Sequence, residues 1–138
     1  YNHIMEYLFI CKGNVGRSQI AEGLCKKIHP NKEVISAGTK ISGPEQPIGE
    51  LMPNIKEVLD VMNEEGIDAS GFVRKQLTED MLANADKAVA IIEDEEELPE
   101  FLANSPKLTR WNVPDPKGKD LDFTRQVKDT IKSHIKKL

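Results

Sequence analysis

The sequence predicts an α/β protein: a parallel sheet with helices on both faces. Two observations predict it. Short apolar runs alternate with segments of helical periodicity along the whole chain. No internal repeat, low-complexity tract or linker interrupts that alternation, and 138 residues is the length of one domain, 1–138. Crossovers between the parallel strands are then right-handed.

Each element has a local cause. EYLFI (6–10) is a short apolar run and reads as a buried strand. Over 18–28, Ile20, Leu24 and Ile28 recur at helical spacing. EVISA (33–37) is a second strand, closed by Gly38. Over 53–66, Pro53 suits a first helical turn, Ile55, Val58, Leu59 and Met62 form a stripe, and Gly66 is a stop. Thr78 is the expected cap of a short helix over 78–85. KAVAII (87–92) is the third strand, 95–104 a helix whose start Pro99 limits, and 108–113 the fourth strand. The last helix carries Leu121, Phe123, Val127, Ile131 and Ile135 on one side. Residues 38–52 form the longest loop, and loops of that length often belong to a site. The acids of EDEEE (93–97) read as a solvated helix start.

Composition excludes several function classes. The net charge is -4 and no sustained basic stretch appears, so nucleic acid is not an expected partner. No apolar run approaches the roughly 20 residues needed to span a bilayer, and no membrane partner is expected. The two cysteines, Cys11 and Cys25, make neither a disulfide framework nor a four-ligand metal set, which suits a reducing compartment. YNHIMEYLFI lacks the basic start and long apolar core of a secretory leader. A cytoplasmic location is therefore expected.

The chemistry concentrates in FICKGNVGRSQIAEG (9–23). Ligands of open parallel sheets bind beyond the carboxyl ends of the strands, and Cys11 stands at such an end. Lys12, Gly13, Asn14, Val15 and Gly16 form a turn able to aim successive backbone N–H groups into one concavity. A helix starting near Arg17 or Ser18 adds its free N–H groups and its dipole. The Arg17 guanidinium matches a phosphate bidentately. A thiol among such donors favours its thiolate, with Ser18 placed to hydrogen-bond the sulfur. The expected chemistry is in-line attack on a bound phosphate, through a covalent intermediate and without a metal.

CKGNVGRSQIAEG resembles the phosphate loop of the low-molecular-weight protein tyrosine phosphatases, a family shared with thiol-linked arsenate reductases. Cys11, Gly13, Asn14, Arg17, Ser18, Ala21 and Glu22 match its form, and SAGT (36–39), GID (66–68), QLT (76–78) and PDP (114–116) follow in order. The resemblance implies a four-stranded parallel sheet in the order 2-1-3-4. It implies Cys11 as nucleophile, Arg17 as phosphate clamp, Ser18 as the thiolate's support and Ser36 as support for Asn14. Asp115 becomes the general acid and base. It implies no cofactor, a phosphorylated protein or small phosphomonoester as substrate, inhibition by phosphate or vanadate, and a monomer.

Three positions depart from the family pattern. Gly16 stands where the family has a second loop cysteine, so Cys11 lacks a partner for a protective disulfide. Cys25 lies roughly 10 Å along the helix from Ser18 and is expected to face the core. Phe72 stands where many relatives carry a histidine that joins the Asn14 and Ser36 network, which points to a less rigid loop. Lys117 follows PDP where phosphotyrosine phosphatases usually have an aromatic residue. Lys117 and Lys40 favour anionic substrates instead. Trp111 and Phe123 are expected in the core. Two alternative functions stay open: arsenate reduction with an external thiol, and a non-catalytic module that binds a phosphorylated partner.

Overall fold

Four parallel strands, β1 (Met5–Cys11), β2 (Val34–Gly38), β3 (Ala85–Ile92) and β4 (Leu108–Asn112), form one sheet in the order β2-β1-β3-β4. The structure is a computed structural model that describes residues 4–138. The first three positions of the stretch inspected for a leader lie outside the described residues.

Alternation along the central strands builds two cores. Phe9, Val89 and Ile91 face one side with Trp111. Leu8, Ile10 and Ala88 face the other. The first side is covered by α1 (Arg17–Ile28), α2 (Lys56–Glu64) and α5 (Leu121–Lys136). They contribute Ile20 and Leu24, Val58 and Met62, and Val127, Ile131 and Ile135. The second side is covered by α3 (Glu79–Ala83) and α4 (Glu100–Ala103), through Leu82 and Leu102. Full burial of one such aliphatic side chain contributes about 1.5–3 kcal/mol. Among the described residues no helix is long and apolar enough to cross a membrane.

Caps behave as the residue types dictate. Thr78 Oγ1 accepts from the Met81 N–H, and Asp120 Oδ1 from the Phe123 N–H. At the far end of α2, the Glu65 carboxylate accepts from Lys128 and Lys132, 2.8 Å each, and joins α2 to α5.

Two predicted helices begin later than expected. α2 begins at Lys56 rather than Pro53, because the preceding segment closes i→i+3 turns, including Lys56 N–H to the Pro53 carbonyl. The helix expected over 95–104 shrinks to Glu100–Ala103. Pro99 is extended, and its ring disfavours helical geometry at Leu98. The acidic run is therefore no helix start.

The parallel arrangement places Cys11, Gly38, Ile92 and Asn112 on one edge of the sheet, each ending its strand. Gly38 is the tightest point there. A side chain on it would meet the Lys12 carbonyl oxygen at 2.6 Å.

Candidate active site

Between Cys11 and α1, the chain turns through five residues, 12–16. Asn14 is the one non-glycine with positive φ, 55°, among the described residues. Among those residues, no acceptor is found for the backbone N–H groups of Gly13, Asn14, Val15, Gly16, Arg17 and Ser18. Six successive open donors, the last two opening α1, make a concavity for an anion.

A directed hydrogen-bond chain runs under this loop. Asn14 Nδ2 donates to Ser18 Oγ at 2.7 Å and to Ser36 Oγ at 3.0 Å. Ser18, already an acceptor, has its hydroxyl proton free for Cys11 Sγ at 2.9 Å. Ser36 likewise donates to Glu22 Oε1 at 2.7 Å, and Glu22 Oε2 pairs with Lys26. Asn14 Oδ1 accepts from the Lys75 N–H at 2.8 Å and from Gln19 Nε2 at 3.1 Å. No histidine bonds Asn14 among the described residues. Phe72 instead packs against the first core.

Arg17 is 2% exposed, and its Nη1 and Nη2 are held by Glu96 at 2.7 and 2.9 Å. Nη1 also donates to the Val113 carbonyl at 3.1 Å. Nε makes no hydrogen bond among the described residues. The Nε/Nη2 edge is thus the one left for an oxyanion. Burial would lower the Arg17 pKa, yet the bond to Glu96 and the charges around it raise it. Burial pushes the Glu96 carboxyl up, and Arg17, the Glu93 N–H and Lys12 outweigh it and hold it down.

Asp115 is half exposed, with Oδ2 at 3.8 Å from Arg17 Nη2 and Oδ1 accepting from the Lys117 N–H. Glu93 Oε1 accepts from the Asp115 N–H at 3.2 Å. One acidic run therefore touches both Arg17 and the loop carrying Asp115. Pro116 covers Gly16: a Cβ there would sit 3.5 Å from the ring, an ordinary contact. The long loop 38–52 is fastened beside the site by Arg74, which donates to the Pro44 carbonyl and Gln46, and by Gln76.

The structure thus brings Cys11, Asn14, Arg17, Ser18, Ser36 and Asp115 to one edge. Glu22, Gln19, Lys75, Glu93 and Glu96 belong to the same cluster and were missed from sequence. Only Glu22 had a signal, inside the matched Ala-Glu pair. A cleft of about 610 Å³ opens beside the loop, with Lys12 and Lys40 among its lining and Glu95, Glu96 and Glu97 also lining it; none of its lining residues is aromatic. Among the described residues no group of three His, Cys, Asp or Glu is placed to hold a metal. Cys25 is buried in the first core, and burial pushes its thiol up to about 11.

A lone thiol under open amides, at the carboxyl edge of a four-stranded parallel sheet, defines a cysteine-based oxyanion-binding α/β protein. The description of the low molecular weight phosphotyrosine protein phosphatases matches residues 6–138, and the chain belongs to that family. An arsenate reductase of Staphylococcus epidermidis is 33% identical over 128 residues, covering 92% of this chain and 90% of that relative. Among solved structures, an arsenate reductase in the phosphate binding state superposes with a TM-score of 0.79 at 25% identity, covering 97% of this chain and 95% of that one. A low molecular weight protein tyrosine phosphatase from T. tengcongensis gives 0.77 at 28% identity, covering 96% of each chain.

Proposed function

We propose that the chain is a metal-free phosphomonoester hydrolase working through a cysteinyl-phosphate. The observation that carries this reading is the Cys11 sulfur, hydrogen-bonded by Ser18 at the end of β1, beside six successive open backbone donors of the turn and the start of α1. Sγ attacks phosphorus as the bond to the leaving oxygen breaks, and Asp115 gives that oxygen its proton. Asp115, now a carboxylate, takes a proton from water. The water oxygen attacks phosphorus, the S–P bond breaks, and phosphate leaves. The open amides and the free edge of Arg17 stabilise the equatorial oxygens throughout. Charged walls and the lack of an aromatic lining in the cleft favour a polar phosphomonoester or phosphorylated protein segment over an aryl ester.

The test is hydrolysis of p-nitrophenyl phosphate and of an alkyl phosphomonoester, phosphoserine, with EDTA present. Turnover should vanish in Cys11→Ser and fall sharply in Asp115→Asn. A folded parent that binds vanadate but turns over no ester would refute the hydrolase.

A second reading, arsenate reduction, is favoured by the name of the Staphylococcus relative. Reduction of an arseno-cysteine needs further thiols, and this sequence offers only Cys25, which is buried. An external thiol must serve. Arsenate-dependent oxidation of thioredoxin or a small thiol, lost in Cys11→Ser, is the measurement that favours it.

A further inference from the structure

Gln19 is the third residue of α1 and is buried. Its Nε2 lies 3.1 Å from each of three acceptors: the Asn14 carbonyl, Asn14 Oδ1 and the Val73 carbonyl. Its Oε1 is itself fully enclosed and has no partner, the only side-chain nitrogen or oxygen so placed among the described residues. The two N–H hydrogens are shared among these three acceptors, and together the acceptors decide which end of the amide faces the loop. The orphaned oxygen costs stability. Packing alone would be better served by leucine or methionine, which fill similar volume without an unpaired polar atom.

We propose that Gln19 is a positioning residue of the phosphate loop, holding the Asn14–Val15 peptide so that its carbonyl faces out and its N–H faces the cradle. The inference rests on reading that loop as an oxyanion site. In a trans peptide the C=O and the following N–H point in opposite directions. Gln19 binds the Asn14 carbonyl from outside, which directs the Val15 N–H away from Gln19. Turned over, the same peptide would aim a carbonyl oxygen at the bound oxyanion and repel it. Asn14 would also have to leave its left-handed conformation, φ 55°. The second bond, to Asn14 Oδ1, keeps Asn14 Nδ2 on Ser18 and Ser36. The third, to Val73, fixes the amide to the segment beside Phe72, whose ring has no polar atom to offer. The loop thus gains from within α1 a tether that the residue at position 72 does not supply.

The experiment compares the parent with Gln19→Met, which fills the volume but donates nothing, and Gln19→Glu, an isostere whose carboxylate would face three acceptors. Orthovanadate affinity is read by calorimetry, kcat and KM on p-nitrophenyl phosphate by initial rates, and folding by thermal melts. Vanadate affinity should fall about tenfold in Gln19→Met, the worth of one lost tether, and further in Gln19→Glu. The kcat should fall with it while KM changes less. If Gln19→Glu does not fold, the methionine variant decides alone. Folded variants with the parent's vanadate affinity and kcat, or with only a lowered melting temperature, would overturn the proposal. A parent that binds vanadate without turnover leaves the vanadate comparison decisive here, and refutes only the hydrolase.

Discussion

Replacing Glu96 by glutamine removes the counter-charge of a guanidinium that is 2% exposed, while the carboxylate itself is 19% exposed. Two charge-assisted hydrogen bonds, 2.7 and 2.9 Å, are lost or weakened, and the new amide turns an N–H toward donors. Stranding a fully buried charge costs about 3–5 kcal/mol. Partial solvent access at Glu96 reduces this to about 2–3 kcal/mol. For a chain of this size that lowers the melting temperature by about 10 °C. An oxyanion in the loop supplies the missing negative charge to Arg17, so phosphate should return much of the loss. The assay is a pair of thermal melts, one in a zwitterionic buffer and one with saturating phosphate. The variant should melt well below the parent in the first and approach it in the second. An unchanged melting temperature, or an equal phosphate increment in both proteins, would refute the reasoning.

Acid stability has a second lever in Glu65, whose carboxyl is lowered from 4.5 to about 2 by its bonds to Lys128 and Lys132. Its contribution, about 1–2 kcal/mol once solvent screening of the pairs is counted, is complete above pH 4.5 and lost as pH falls through about 2. Denaturant unfolding should show Glu65→Gln weaker than the parent at pH 7, with the difference shrinking toward pH 2. Excess peroxide should inactivate the parent in a way dithiothreitol does not reverse, because Cys11 has no loop cysteine to capture it. Gly16→Cys, which the contact with Pro116 tolerates, should restore recovery, and full recovery of the parent would contradict this. Native iodoacetamide labelling, read by mass spectrometry, should modify Cys11, which is 3% exposed and opens onto the loop, and spare Cys25, which is fully enclosed in the first core with its thiol pushed to about 11.

The sheet was legible because each strand carries its own apolar run, and α1 and α5 because their stripes repeat over several turns. The Cys11 loop was legible because its donors are consecutive in the chain. Short elements were harder: a four-residue α4 has no period, and only Pro99 marked its start. Glu96 was unreadable for another reason. An acid that will hold an arginine 79 positions away looks like its solvated neighbours Glu95 and Glu97. The missing histidine at Phe72 suggested a looser loop, whereas Gln19 and Lys75 bind Asn14 from other directions. A glutamine on a helix announces nothing until its three acceptors are seen together.

The acids of 93–97 open the connection from β3 to β4, yet they meet a residue near the start of the chain and another near its end. The site is consequently indivisible along the chain. A break anywhere between Ser36 and Glu93 leaves the thiol and its serines on one piece. The carboxylate that neutralises its arginine, and the Asp115 loop, remain on the other. Neither piece alone can carry the chemistry, and a nicked chain can act only if its two halves stay docked, through the β1–β3 pairing and the packing of α1 on α5.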